Sequence, residues 1–138
     1  MKAYDAPSKP APRNHGLLSG SIFAGLAVAL GAFGAHAMKA HYASDDLHTF
    51  ETGVRYQMYH ALALIACGAL NRTGMHTVTA SRLFAGGIVL FSGSLYGLVF
   101  THSKWLGPIT PIGGVLFLAG WVSLAIACRQ QSVDSSRL

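Results

Sequence analysis

Residues 17–38 read LLSGSIFAGLAVALGAFGAHAM, a stretch with no Lys, Arg, Asp or Glu. Coiled as an α-helix rising ~1.5 Å per residue, it matches the ~30 Å hydrocarbon core of a bilayer. Residues 56–71, 83–103 and 106–128 also lack all four charged residue types. The second of these is short, but it gains a turn from the amphipathic segment before it. The reading is an all-α membrane protein with four transmembrane helices in a compact bundle over residues 16–129. The expected spans are about 17–38, 54–71, 83–103 and 109–128, with flexible tails at 1–15 and 130–138.

Composition agrees. Hydrophobic residues make up 51% of the 138 positions and charged residues 11%, against roughly 25% charged in soluble domains. Mean hydropathy is +0.41. The net charge of +5 could suggest nucleic acid, but the ten basic residues are scattered through the polar gaps and form no patch. Their placement sets an orientation instead. Lys2, Lys9, Arg13, Arg72, Arg82, Arg129 and Arg137 fall on one side of the four-span arrangement, and Lys39, Arg55 and Lys104 on the other. Basic residues favour the cytoplasmic side, so both termini are expected in the cytoplasm. Asp45, Asp46 and Glu51 then face outward, with Trp105, Tyr42, Tyr56 and Tyr59 near the outer interface.

The first run, ending in Ala35-His36-Ala37, superficially resembles a cleavable leader, but it exceeds the ~7–15 apolar residues of a signal sequence. Its small residues are also patterned. At 100° per residue Gly16, Gly20, Ala24, Ala27, Gly31 and Gly34 fall in an arc of about 80°, so the run is read as a retained first span. In the third run Gly86, Gly93 and Gly97 lie within about 40°. Because lipid is as apolar as leucine, membrane helices associate by close backbone approach, and these two seams are expected to meet. Ser44-Asp45-Asp46 marks the start of the second helix, and Thr110-Pro111 reads as N-cap and first turn of the fourth.

Polar residues at membrane depth gather around the entry to the second span: His36, Glu51, Arg55, Tyr56, Gln57, Tyr59 and His60, with His41, His48 and His102 in the adjoining loops. One reading makes this an ion, proton or metal site, since ionisable residues at that depth are functional candidates. The favoured reading is structural: Gln57 and His60 bond across helices, and Glu51 pairs with Arg55 one turn on. The histidine spacings match no metal-ligand motif, and Cys67 and Cys128 look like packing residues. No phosphate-binding glycine loop, zinc-protease or serine-hydrolase signature is present. No catalytic residue, cofactor or nucleic-acid partner is called for.

Four segments in order, GAFGAHA at 31–37, FETGVRYQMYHALAL at 50–64, LFSGSLY at 90–96 and ITPIGG at 109–114, resemble the successive signatures of the YgdD-like family of small membrane proteins, which includes the eukaryotic transmembrane protein 256. The resemblance covers about residues 16–128 and implies four spans with no established activity. Gly53 departs from it, standing where alanine is expected, a change expected to matter little. The two small-residue seams, the short loops and the lack of a catalytic motif make the expectation a non-enzymatic accessory or interaction protein of the inner (plasma) membrane. Its partners would be the bilayer and either another membrane protein or a second copy of the chain. The competing reading is a small transporter or channel using the polar cluster.

Overall fold

The computed structural model describes residues 15–135, with side chains to residue 132. The segment 1–14, expected as a tail, lies outside the described residues, as does 136–138. Four helices account for nearly all the rest: α1 (His15–His36), α2 (Ser44–Arg72), α3 (Val78–Thr101) and α4 (Ile109–Ser135). α4 continues beyond the expected boundary at 129, so 130–135 are helical rather than tail.

Local chemistry sets the boundaries. α2 opens at Ser44 with Asp45 and Asp46 in its first turn, where carboxylates suit the helix dipole. Gly74, at φ +90°, turns the chain after α2 through a region that side chains disfavour. Thr77 then pins the turn back, its buried hydroxyl donating to the Cys67 carbonyl at 2.7 Å. α3 stops at His102, in the left-handed region at φ 51°. Within α3, Ile88–Ser92 form a π turn, which inserts extra backbone into an α-helix.

The helices run antiparallel in sequence order. α1 lies against α2: Gly16 abuts Gly68, Gly20 abuts Ala61 and Ile65, and Gly34 sits under the Phe50 ring. Gly31 faces Val54 more loosely, a β carbon there standing 3.4 Å from its Cγ1. α3 lies against α4 in the same sense, with Gly86 beside Leu116, Gly87 under the Phe117 ring, and Gly113 against the Phe91 backbone in the π turn. The loop end of the bundle carries the α1–α2 and α3–α4 connections. At the opposite end, here the terminal end, α1 begins and α4 finishes.

The expected meeting of the α1 and α3 seams does not form; α1 packs on α2 and barely touches α3. Two physical reasons account for this. The short connection after α1 makes α2 its antiparallel neighbour, and α2 offers small residues of its own at Ala61 and Gly68. The 100° phase also assumed an unbroken α3. One inserted residue in the π turn rotates everything after it by about 100°, which separates Gly86 from the later pair. Gly97 meets only the Leu106 side chain, and Gly93 has nothing within 4 Å.

Two apolar clusters fill the interior. Met38, Phe50 and Val99 close the loop end, while Leu64, Cys67, Phe84, Ile88 and Phe117 occupy the terminal half. Large apolar side chains such as Leu18, Ile22 and Val28 on α1 and Val115, Leu118 and Val122 on α4 point outward. That surface suits lipid rather than water. Three helical stretches, His15–Ala40, Val78–Thr101 and Lys104–Ser132, are long and apolar enough to cross a bilayer. α2 is long enough, its 29 residues spanning about 43 Å, but its polar residues keep it off that set.

The packing separates two glycines that looked equivalent. A β carbon at Gly20 would stand 2.7 Å from Ile65 Cγ1 and 2.8 Å from the Ala61 carbonyl oxygen, whereas Gly93 faces open space. Gly20→Leu should therefore lower stability in detergent by about 1–3 kcal/mol, and Gly93→Leu should leave it unchanged. Thermal or denaturant unfolding of the two purified variants checks the contrast.

Candidate functional site

α2 carries Gln57 and His60 one turn apart, and both are buried, at 4% and 5% exposure. Buried away from water, an amide or imidazole must bond within the protein or lose its hydrogen bonds at a cost of about 1–3 kcal/mol. Gln57 is satisfied from two sides. Its Nε2 donates to the Phe23 carbonyl of α1 at 2.9 Å, and its Oε1 accepts from the Tyr96 hydroxyl of α3 at 2.9 Å. Tyr96 reaches it by lying over Gly53, where a β carbon would come within 2.7 Å of the ring. The departure from alanine at 53 is thus not of little consequence in this chain: it makes room for Tyr96.

His60 is held as tightly. Trp121 Nε1 of α4 donates to His60 Nε2 at 3.2 Å, and His60 Nδ1 lies 2.8 Å from the Tyr56 carbonyl. An indole can only donate, so Nε2 is the acceptor and Nδ1 carries the proton, donating to Tyr56. These bonds assign a neutral ring with both nitrogens in use. The ring stacks on Phe117 with centroids 3.4 Å apart and planes 5° from parallel, and it packs against Phe84 at 5.6 Å. A metal ion or a second proton at Nε2 would have to displace Trp121.

A third polar contact joins α3 to α4. The π turn places Ser94 so that its hydroxyl donates to the Phe91 carbonyl at 2.9 Å and lies 2.7 Å from the Thr110 hydroxyl. Thr110 is therefore not the N-cap expected from sequence. α4 begins at Ile109, and Thr110 spends its hydroxyl on the neighbouring helix. Ser92, in the same turn and 1% exposed, keeps a hydroxyl without a partner.

The rest of the expected cluster is spread apart. His36 is exposed and bonds only its own helix, Nδ1 to the Ala32 carbonyl at 2.9 Å. Glu51 and Arg55 are exposed along a shallow groove shared with Gly31, Gly34, Phe50 and Val54. Among the described residues they form no ion pair, contrary to expectation; both side chains are exposed on the surface, where such a pair contributes little. Tyr56 and Tyr59 are exposed neighbours with ring centroids 6.1 Å apart, and Tyr56 also packs on Phe91 at 4.8 Å. No group of three His, Cys, Asp or Glu side chains able to hold a metal ion occurs among the described residues.

Sequence reasoning missed Tyr96, Trp121, Ser94 and Thr110, although a signal existed for the first two. A Tyr or Trp in the middle of an apolar run has a polar tip that needs a partner, and Gln57 and His60 were the unmatched groups.

The sequence profile described as "Protein of unknown function (DUF423)" matches residues 30–114. The UPF0382 membrane protein YwdK of Bacillus subtilis is 46% identical over 114 residues, covering 80% of this chain and 93% of that protein. The UPF0382 membrane protein SAB0533 of Staphylococcus aureus is 47% identical over 112 residues, covering 80% and 92%. No solved structure matches the chain.

The shared bond makes Gln57 and Tyr96 a coupled pair. Gln57→Leu strands the half-buried Tyr96 hydroxyl and Tyr96→Phe strands the buried Gln57 Oε1, and each should cost about 1–3 kcal/mol. Gln57→Leu with Tyr96→Phe should cost less than the two single losses added together. Unfolding measurements on the three variants in one detergent give the coupling.

Proposed function

The chain belongs to the DUF423 family as a membrane protein of unknown function, and we propose that it is a four-span accessory protein of the plasma membrane. It works through lateral contacts with another membrane protein or a second copy of itself, without catalysing a reaction. α2 serves as the fourth span although its own sequence is too polar to qualify alone. Its first turns, with Asp45, Asp46 and Glu51, emerge at the loop end, and below them Gln57 and His60 are sheltered by the three apolar helices. Arg72, Arg82 and Arg129 lie at the terminal end, which supports cytoplasmic termini.

The observation that carries the accessory reading is the saturation of the polar groups that join α2 to the other helices, Ser92 being the one buried hydroxyl left without a partner among the described residues. Gln57, His60, Tyr96 and Trp121 spend their polar atoms on one another and on backbone carbonyls. A transporter needs intramembrane groups free to exchange one partner for a cargo. What the bundle offers instead is its exposed apolar flanks on α1 and α4.

Photo-crosslinking in cells tests this, with a crosslinking residue placed at exposed Ile22 of α1 or Leu118 of α4. A discrete protein adduct from one flank, recovered at a fixed ratio to the chain, is the expected result. Adducts with lipid alone, together with solute or proton flux in proteoliposomes, would overturn it. Orientation is checked by maleimide labelling of intact cells on a cysteine-free background, where Ser44→Cys should label and Thr73→Cys should not.

A further inference from the structure

At the terminal end, α1, α2 and α3 leave a cleft of about 250 Å³ between them, several times the ~30 Å³ share of one water. Its rim is polar, formed by His15, Ser19, Asn71, Ser81 and Arg82, and its base is apolar, formed by Leu64 and Ala85. Along α2 the change from Asn71 to Leu64 takes seven residues, about 10 Å of helix, and along α3 it runs from Ser81 and Arg82 to Ala85. We propose that this cleft seats an anionic phospholipid, its phosphate on Arg82 and the upper part of its acyl chains against Leu64 and Ala85.

Three observations carry the assignment. The first is that Arg82 makes no hydrogen bond or ion pair among the described residues, while its planar fork of donors fits a phosphate. The second is that no carboxylate competes among the described side chains: Asp45, Asp46 and Glu51 all lie in the first turns of α2 at the opposite end. The third is that the neighbouring polar groups are already anchored. Ser19 donates to the His15 carbonyl at 2.6 Å, Ser81 to Thr77 at 3.0 Å, and Asn71 to Met75 at 3.1 Å. They shape a polar rim and leave Arg82 to supply the charge. The chain's own residues 1–14 have the wrong sign for this seat, with Lys2, Lys9 and Arg13 against Asp5 alone. A basic pocket between membrane helices is a recognised setting for a lipid headgroup. The inference rests on membrane location, and neither the accessory role nor the orientation enters it.

The test is native mass spectrometry of the full-length chain in mild detergent. It is titrated with dioctanoyl phosphatidylglycerol, with dioctanoyl phosphatidylcholine, and with the former in the presence of excess inorganic phosphate. The wild-type chain should bind one phosphatidylglycerol about fivefold or more tightly than phosphatidylcholine. Arg82→Gln, an exposed substitution whose helicity can be checked by circular dichroism, should abolish the preference, and Arg82→Lys should restore part of it. Arg129→Gln is the control, since Arg129 lines a separate cleft with His76 at the same end; it should keep the preference. Equal binding of the two lipids overturns the proposal. Equal loss in Arg82→Gln and Arg129→Gln does so too, because it means diffuse surface charge. Full competition by inorganic phosphate would assign the seat to a free anion instead of a lipid. None of these results bears on the crosslinking outcome.

Discussion

The hydrogen bonds of Gln57 hold the bundle in register. An amide within a lipid-surrounded core has no water to turn to, so it selects for helices that bring it a donor and an acceptor. α1 brings the Phe23 carbonyl and α3 brings the Tyr96 hydroxyl. One turn further on, His60 makes the same demand of α4, which answers with Trp121. α2 is thus bonded to each of the other three helices through two side chains. The net strength of such a bond between membrane helices averages only ~0.6 kcal/mol. The penalty for leaving one partner stranded is larger, about 1–3 kcal/mol, and that asymmetry makes the arrangement specific.

Close approach makes those bonds reachable. Gly20 lets α1 press onto the Ala61 carbonyl, Gly53 lets Tyr96 cross α2, and Gly113 lets α4 meet the π turn of α3 at Phe91. Without a hydrophobic force to draw helices together in lipid, this packing and the few polar bonds must suffice. The π turn serves both purposes. It rotates the second half of α3 relative to the first, so that Ser94, two residues beyond it, meets the Thr110 hydroxyl.

How much of this could be read in the residues alone differs from feature to feature. The apolar runs at 17–38, 83–103 and 106–128 mark helices directly, because length and the absence of charge are local properties. The start of α2 at Ser44 was legible from its acidic first turn, and the cross-helix role of Gln57 and His60 followed from their depth in the span. The partners of those two residues were not legible, since Tyr96 and Trp121 are 39 and 61 positions away in the chain and only the fold brings them near. The α3 seam misled for a definite reason. Helical phase carries over a span only if each residue turns 100°, and Ile88–Ser92 do not. Nothing in IVLFS distinguishes it from ordinary apolar helix.

The central claim, that His60 is locked as a neutral acceptor for Trp121 inside the bundle, is tested most directly by solid-state 15N NMR at neutral pH. The sample is the chain in lipid bilayers, labelled at histidine and tryptophan. The account requires a protonated Nδ1 and a bare Nε2 on His60, with a through-space correlation from Nε2 to the Trp121 indole proton. An imidazolium, an Nε2-protonated ring, or a Trp121 indole without contact to His60 would contradict it.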